Sequence, residues 1–378
     1  MTKAIILSGG WGTRLRPLTC SIPKSLIPIV NKPVIERQII LLKAAGVKEI
    51  VLAVSVMSEV VKKYFGDGQR LNVKIHYTDE KYPMGTAGAI RLAEDYLKDD
   101  NFFMLNGDII MDFDFSDFLV SHQKCGGIGT IASKIVEDPS RYGVLIVDKK
   151  THQLYKFLEK EEYSPPEGKI SPMPINAGIY ILESGIFSYI QPKKKVSIER
   201  EVFPRVAIDN QLFHYPISGI WKDVGKPLDL LEANIELMNH IINNLKGEAR
   251  NLIDDSIDID PTTTLYSPCT IGKDVVIRKN CSIGPNVIIG DNVYIEDNVK
   301  VKNSLIYSEA YISKNTSINN AIISDNCLIG KNVDLKGDDI NLIILASFVK
   351  VDNEVKLISK NHQPISYCHH EFVKESIK

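Results

Sequence analysis

Short apolar runs and helical stripes alternate along roughly the first hundred residues. Ala4-Ile5-Ile6-Leu7 is an unbroken apolar run of strand length and predicts a fully buried strand. Ile35, Ile39 and Leu42 recur at i, i+4 and i+7, so residues 34–45 predict a helix, with Gly46 as its stop. Residues 49–54 predict a second buried strand, 59–65 a short helix ending at Gly66, and 73–77 a third strand. Gly85-Thr86-Ala87-Gly88 then opens a helix carrying Ile90, Ala93 and Leu97, and residues 102–105 form a strand that ends at Asn106-Gly107-Asp108. Repeated strand–helix units predict an open, mostly parallel α/β sheet with helices on both faces. Ligands of such sheets bind at the carboxyl ends of the strands.

From about Ile128 the pattern turns strand-rich, with candidates at 129–133, 143–147, 154–159, 177–182 and 212–216. A helix from Pro227 keeps Leu228, Leu231, Ile235, Met238, Ile242 and Leu245 at helical spacing and closes a first domain, residues 1–245. Residues 246–260 are polar and weakly patterned, and read as a linker. Beyond them the period changes. Ile271, Ile277, Ile283, Ile289, Ile295 and Val301 recur every six residues, beside a second column of Val275, Cys281, Val287, Val293 and Val299. The register resumes after a five-residue step through Ile306, Ile312 and Ile318, then Ile323, Ile329 and Leu335. These hexapeptide repeats predict a left-handed parallel β-helix over residues 261–378, with the less regular 341–378 as its cap.

Composition narrows the function classes. A net charge of −2 gives no basic footprint for nucleic acid. The six cysteines lack CxxC spacing and fit buried apolar roles in a reducing compartment. The chain opens directly into a strand without a signal-peptide layout, and no apolar run approaches about 18 residues. The expectation is a soluble, cytoplasmic protein with no membrane partner.

Candidate chemistry clusters at strand ends. Leu7-Ser8-Gly9-Gly10-Trp11-Gly12-Thr13-Arg14 sets three glycines and an arginine directly after the first strand, and Lys24 follows in Ile22-Pro23-Lys24-Ser25. Bare backbone N–H groups flanked by fixed cations suit a polyphosphate, although the loop alone also fits an ordinary strand–helix turn. It is neither a Walker A loop nor GxGxxG. Asp108 and Asp223 are hard carboxylates suited to Mg²⁺, or, taken singly, turn residues. Gly143, Glu159, Lys160 and Asn176 sit where a sugar phosphate could bind, Glu159 for hydroxyls and Lys160 for phosphate charge, or, taken alone, at solvated strand ends. No arrangement suggests a covalent nucleophile.

In combination these motifs resemble the sugar-1-phosphate nucleotidyltransferases. GGWGTRLRPLT, IPKSLIPI, PMGTAGAI, LNGDI, RYGV, FLEK, NAGIYIL, EREVFP and IWKDVGKP occur in family order, followed by the hexads. Within the family the likeness is nearest to the guanylyltransferases that act on mannose 1-phosphate. The resemblance implies a Rossmann-like catalytic domain and a Mg²⁺-dependent reaction of GTP with mannose 1-phosphate, giving GDP-mannose and pyrophosphate. It implies that Gly9, Gly10, Gly12 and Thr13 hold the triphosphate, Arg14 stabilises the departing pyrophosphate and Lys24 sits on the phosphates. Leu7 and the loop Pro83, Gly85, Thr86, Gly88 would enclose the base. Asp108 and Asp223 would hold the metal, and Gly143, Glu159, Lys160 and Asn176 the sugar phosphate.

Two departures and several rivals bear on that expectation. Ser25 replaces the second proline of the family's PKPL, and Glu161 follows Lys160 where the family has proline, adding an acid beside an anionic ligand. UTP or dTTP with glucose 1-phosphate is the same chemistry with another pairing. A non-catalytic regulatory subunit that binds nucleotide sugar is a rival from another class, disfavoured by the compact glycine loop. An acyltransferase would need a histidine base, and the regular hexads contain none. A long β-helix also offers a flat face for homo-oligomer assembly.

Overall fold

The computed structural model describes residues 3–80, 82–165, 168, 170–245, 250–359, 364–368 and 370–376. They form two compact units: Met1–Gly10 with Val34–Lys222, and Trp11–Pro33 with Asp223–Lys378.

The first unit is built on a nine-stranded sheet of β1 (Lys3–Ser8), β2 (Glu49–Val54), β3 (Lys74–Asp79), β4 (Phe102–Asn106), β5 (Gly129–Val136), β6 (Val144–Val147), β7 (Leu154–Leu158), β8 (Met173–Leu182) and β9 (Leu212–Pro216). The spatial order is β7-β6-β8-β4-β1-β2-β3, with β5 paired to β8 and β9. β1 runs parallel to both β2 and β4, Ile5 lying between Val51 and Met104, so its apolar run is buried on both faces. β8 runs antiparallel to β4 and carries a register shift between Asn176 and Tyr180. Gly178 takes φ +68° inside that bulge, a conformation that costs glycine little.

The helices of this unit are α1 (Val34–Ala44), α2 (Ser58–Phe65), α3 (Gly85–Leu92), α4 (Glu94–Leu97), α5 (Phe115–Cys125) and α6 (Phe203–Ile208). The single helix expected after Gly85 is two, because the chain leaves helical geometry at Ala93. A short ribbon pairs Ile109–Asp112 with Ile220–Asp223.

The second unit holds α7 (Pro227–Asn244) and a three-sided stack of parallel sheets with seven, seven and six strands, the architecture of a left-handed β-helix. Both hexad columns are buried in its interior, from Ile271 and Val275 through to Leu335. Each such side chain contributes about 1.5–3 kcal/mol of burial. Asparagines turn the corners at positive φ, Asn280, Asn286, Asn292 and Asn298 among them. Three successive corners stack through their amides, Asn298 to Asn315 at 3.1 Å and Asn315 to Asn332 at 3.0 Å.

The β-helix is longer than its regular hexads. Leu252–Ile253 and Asp258–Ile259 already pair with the next coil, inside the segment read as a linker, whose residues 246–249 lie outside the described residues. At the other end, 341–378 continues the three sheets rather than forming a separate cap: Ile343–Leu345, Lys350–Val351, Lys356–Ile358, Ile365–Tyr367 and Phe372–Val373 all pair in register. The hexad signal fades there because of a turn closed by Asp338, whose carboxylate accepts from the N–H groups of Ile340 and Asn341. Residues 360–363, 369 and 377–378 of that segment lie outside the described residues.

Candidate active site

In the sheet unit the turn bearing Asp108 docks at the carboxyl end of β1. The Gly107 N–H donates to the Leu7 carbonyl at 2.8 Å, and a Cβ at Gly107 would stand 2.7 Å from that oxygen. A glycine is therefore required for the turn bearing Asp108 to dock on the end of β1. Buried Gln38 of α1 clamps the same turn, its amide donating to the carbonyls of Asn106 and Ile109 at 2.9 Å each. Asp108 is half-buried on this turn.

The Pro83–Gly88 loop leans on residues 196–199. Gly85 takes φ +72°, and a Cβ there would come within 2.5 Å of the Val196 carbonyl oxygen. That carbonyl accepts from Ala87 N–H at 3.0 Å, while Val196 N–H donates to Met84 at 2.9 Å. Half-buried Glu80 sits at the foot of the loop. Its carboxylate accepts from Met84 N–H at 3.1 Å and lies 3.3 Å from where a Cβ on Gly9 would be. Burial raises its pKa, and the Met84 bond opposes the rise.

A side-chain chain joins this loop to the sugar-side residues. Thr86 Oγ1 donates to Glu199 Oε2 at 2.7 Å and accepts from Ile198 N–H at 2.9 Å. Tyr180 reaches Glu199 Oε1 at 3.4 Å, and the Asn176 amide donates to the Tyr180 oxygen at 2.8 Å. Tyr180 is fully buried, so desolvation lifts its pKa and it stays a neutral hydroxyl. Asn176 N–H also donates to the Gly143 carbonyl at 2.8 Å, and Trp221 Nε1 donates to Ala177 at 2.8 Å. Thus Gly143, Asn176 and Thr86 belong to one hydrogen-bonded cluster.

Glu159 and Glu199 line a cavity of about 730 Å³ together with Phe157 and Arg200. Burial, then the Glu199 charge, raises the pKa of Glu159, and Arg200 opposes them. Glu161, the departure from the family pattern, pairs with Arg200 at 3.1 Å. Its charge is therefore partly offset. Lys160 is exposed and stands 3.9 Å from Glu161.

The remaining glycine-loop residues lie in the second unit. Gly12 takes φ +60°, its carbonyl accepts from Thr19 Oγ1 at 2.8 Å, and a Cβ on it would meet Thr19 Cγ2 at 2.8 Å and Lys24 Cβ at 3.2 Å. The glycine turn and the lysine motif are thereby folded onto each other, with Thr13 and Arg14 on the short 3₁₀ turn Thr13–Leu15 between them. The Arg14 guanidinium lies against Gly225, where a Cβ would come within 3.2–3.4 Å of it. Gly225 N–H donates to Asp223 at 3.1 Å, so the KDVGKP motif faces Arg14. Among the described residues no group of three or more His, Cys, Asp or Glu side chains could hold a metal by itself. Glu80, Gln38, Thr19, Glu199, Tyr180 and Gly225 were not singled out by sequence reasoning. Glu199 and Gly225 lie inside matched motifs, whereas Glu80 carries no local signal.

Known proteins share this framework. The nucleotidyl transferase family model matches residues 3–240, and the GMPPB C-terminal domain model matches residues 265–377. The mannose-1-phosphate guanylyltransferase catalytic subunit beta of Dictyostelium discoideum is 44% identical over 253 residues, covering 66% of this chain and 67% of the relative. The protein of the same name from Danio rerio is 39% identical over 277 residues, covering 71% and 74%. HddC from Yersinia pseudotuberculosis, solved in complex with GMP-PN, superposes with a TM-score of 0.53 at 29% identity, covering 63% of this chain and 100% of that one.

Proposed function

The chain belongs to the nucleotidyl transferase family, and on that premise we propose that it transfers the guanylyl group of GTP to mannose 1-phosphate, releasing pyrophosphate. The names of its relatives support the pairing. One structural observation carries the choice of base: half-buried Glu80 beside Gly9, at the foot of the Pro83–Gly88 loop. An ionised carboxylate only accepts hydrogen bonds. Guanine offers it two adjacent donors, N1–H and the N2 amino group. Uracil and thymine offer one N–H between two carbonyls, which a carboxylate repels. This favours GTP over UTP or dTTP.

The attacking group is an anionic phosphate oxygen of the sugar phosphate, so no general base is required. The barrier lies in bringing two polyanions together and stabilising charge on the departing pyrophosphate. Arg14 and Lys24, held on one folded turn with Gly12, supply fixed cations for the phosphates, and the glycine N–H groups supply uncharged donors. Gly143, Asn176 and Glu159 would take the sugar phosphate, with Lys160 beside them.

We assign Mg²⁺ to Asp108 and Asp223. Two hard carboxylates fit an ion that habitually takes one or two protein ligands and completes its shell with substrate phosphates and water. Such an ion adds Lewis-acid neutralisation of phosphate charge. The reading also makes residues 1–245 the catalytic domain and the β-helix, which already begins at Leu252–Ile253, an assembly domain that pairs copies of the chain in the cytoplasm. No helix among the described residues is long and apolar enough to cross a membrane.

Pyrophosphate release by the purified chain across a grid of nucleoside triphosphates and sugar 1-phosphates tests the proposal. GTP with mannose 1-phosphate should turn over fastest. A clear preference for UTP or dTTP would overturn the assignment, and no product at any metal concentration would favour a regulatory subunit.

A further inference from the structure

The loop Trp11–Pro33 belongs to the same compact unit as the β-helix, and its bonds to that helix follow a pattern. Ile289, Ile306, Ile323 and Leu345 pair in register on four successive coils of one sheet. The loop is tied directly at or just after three of these four positions. Asn31 Nδ2 donates to the Ile289 carbonyl at 2.7 Å. The hydroxyl of fully buried Tyr307 reaches the Pro28 carbonyl at 3.4 Å. Ser21 Oγ donates to Ser347 Oγ at 2.9 Å, and Ser347 in turn meets Ser324 Oγ at 3.0 Å. Moving from Asn31 back to Ser21, the loop climbs one edge of the prism.

That edge is unlike the other two faces. Outward-pointing Ile288, Leu305 and Ile322 on its sheet are at most 1% exposed, whereas Lys300, Leu328 and Lys356 on the other sheets are open to solvent. One tether falls inside the folded turn: Ser21 lies between Thr19, which bonds Gly12, and Lys24, which packs against it. The loop's three 3₁₀ turns have only three residues each, too short to hold a geometry unaided.

We propose that this β-helix edge is the seat of the triphosphate loop, and that Ser347 and Tyr307 are positioning residues for Arg14 and Lys24. The β-helix thereby takes part in nucleotide handling as well as assembly. The inference rests on the loop's proposed role with triphosphate, but the mechanical coupling can be measured without it.

The test compares wild type with Ser347→Ala combined with Asn31→Gly, which keeps the left-handed backbone at position 31, and separately with Tyr307→Phe. Hydrogen exchange should quicken across residues 11–33 while coils 269–301 keep wild-type protection. In turnover, KM for the nucleoside triphosphate should rise about tenfold and KM for the sugar 1-phosphate should stay within about twofold, because misplacing a catalytic group by a fraction of an ångström carries such costs. Ser347→Thr, which restores the hydroxyl, should return both readouts towards wild type. Unchanged exchange in 11–33, or an equal rise in both KM values, would overturn the proposal. Faster exchange in a chain whose wild type turns over no triphosphate would uphold the coupling and refute the loop's assigned role.

Discussion

In the sheet unit, the polar groups at the strand ends are carboxylates, amides and hydroxyls tied largely to one another, as in the run Asn176–Tyr180–Glu199–Thr86. In the β-helix unit the corresponding groups are cations on 3₁₀ turns, fixed through glycine contacts and bonds from distant segments. The first arrangement is stiff because a continuous apolar core surrounds it. The second leans on α7 and the β-helix: buried Asn234 accepts from Val30 N–H at 2.7 Å. The difference shows two ways of holding polar groups in place: one set is bonded to itself within a rigid frame, the other is carried on an anchored strap.

The largest expected effect separates chemistry from scaffold in the sheet unit. Asp108→Asn removes a charge and almost no volume, while Gln38 and the Gly107–Leu7 bond still hold the turn. Turnover should fall by about 10²-fold or more with an unchanged melting temperature. Near-wild-type activity would remove Asp108 from the site. A matched pair of glycine substitutions then sets the two units side by side. Gly225→Ala presses on a flexible guanidinium and should lower turnover roughly tenfold with little loss of stability. Gly85→Ala instead drives a Cβ into the Val196 backbone at positive φ and should cost about 1–3 kcal/mol of stability. If Gly225→Ala unfolds the protein and Gly85→Ala does not, the contrast between strap and frame is wrong.

Glu80→Gln probes selectivity. It keeps the shape but replaces one acceptor oxygen with a donor, so kcat/KM for GTP should drop roughly tenfold while UTP and dTTP gain, because the new N–H can donate to a pyrimidine carbonyl. An equal loss for all nucleotides would make Glu80 a loop brace only, through its bond to Met84.

Much of this was legible in the sequence, for identifiable reasons. β1, β2, β4 and β9 are apolar or β-prone runs, and the hexads state their own period, so both architectures follow from spacing. The glycine loop stood out because three glycines in four positions call for a backbone reason, though alone it also fits an ordinary strand–helix turn. Glu80 was invisible, because its role comes from Gly9 and Met84 meeting it in space. The unit division was equally hidden: residues 11–33 fold with coils some 260–330 positions away, as in Asn31–Ile289 and Ser21–Ser347. The last coils escaped notice because the Asp338 turn lengthens them beyond the hexad step.

The smallest effect expected is a pH contrast between the units. Burial, with help from the neighbouring His152 charge, pushes His214 in the sheet unit down to about 4. An unfolded histidine titrates near 6.5, so the unfolded chain binds more protons below that value. The contribution of neutral His214 is fully present above pH 6.5 and is lost as pH falls towards 4. Asp325 in the β-helix runs the other way. Burial pushes it up to about 6, against an unfolded value near 3.8, with the Ser308 N–H bond opposing the rise. Between those values the folded state binds more protons, so stability falls as pH rises through that window and stays reduced above it. Asp325→Asn keeps an acceptor for Ser308 and removes the buried charge. It should raise the melting temperature at pH 7 by about 2–4 °C and leave it unchanged at pH 4. His214→Asn should flatten the loss between pH 6.5 and 4 without altering the Asp325 effect, since the two groups lie in separate compact units. Melting curves of both single variants and the double variant at pH 4, 5, 6 and 7 test both signs. A double variant whose shifts fail to add would show that the two units do not respond to pH independently.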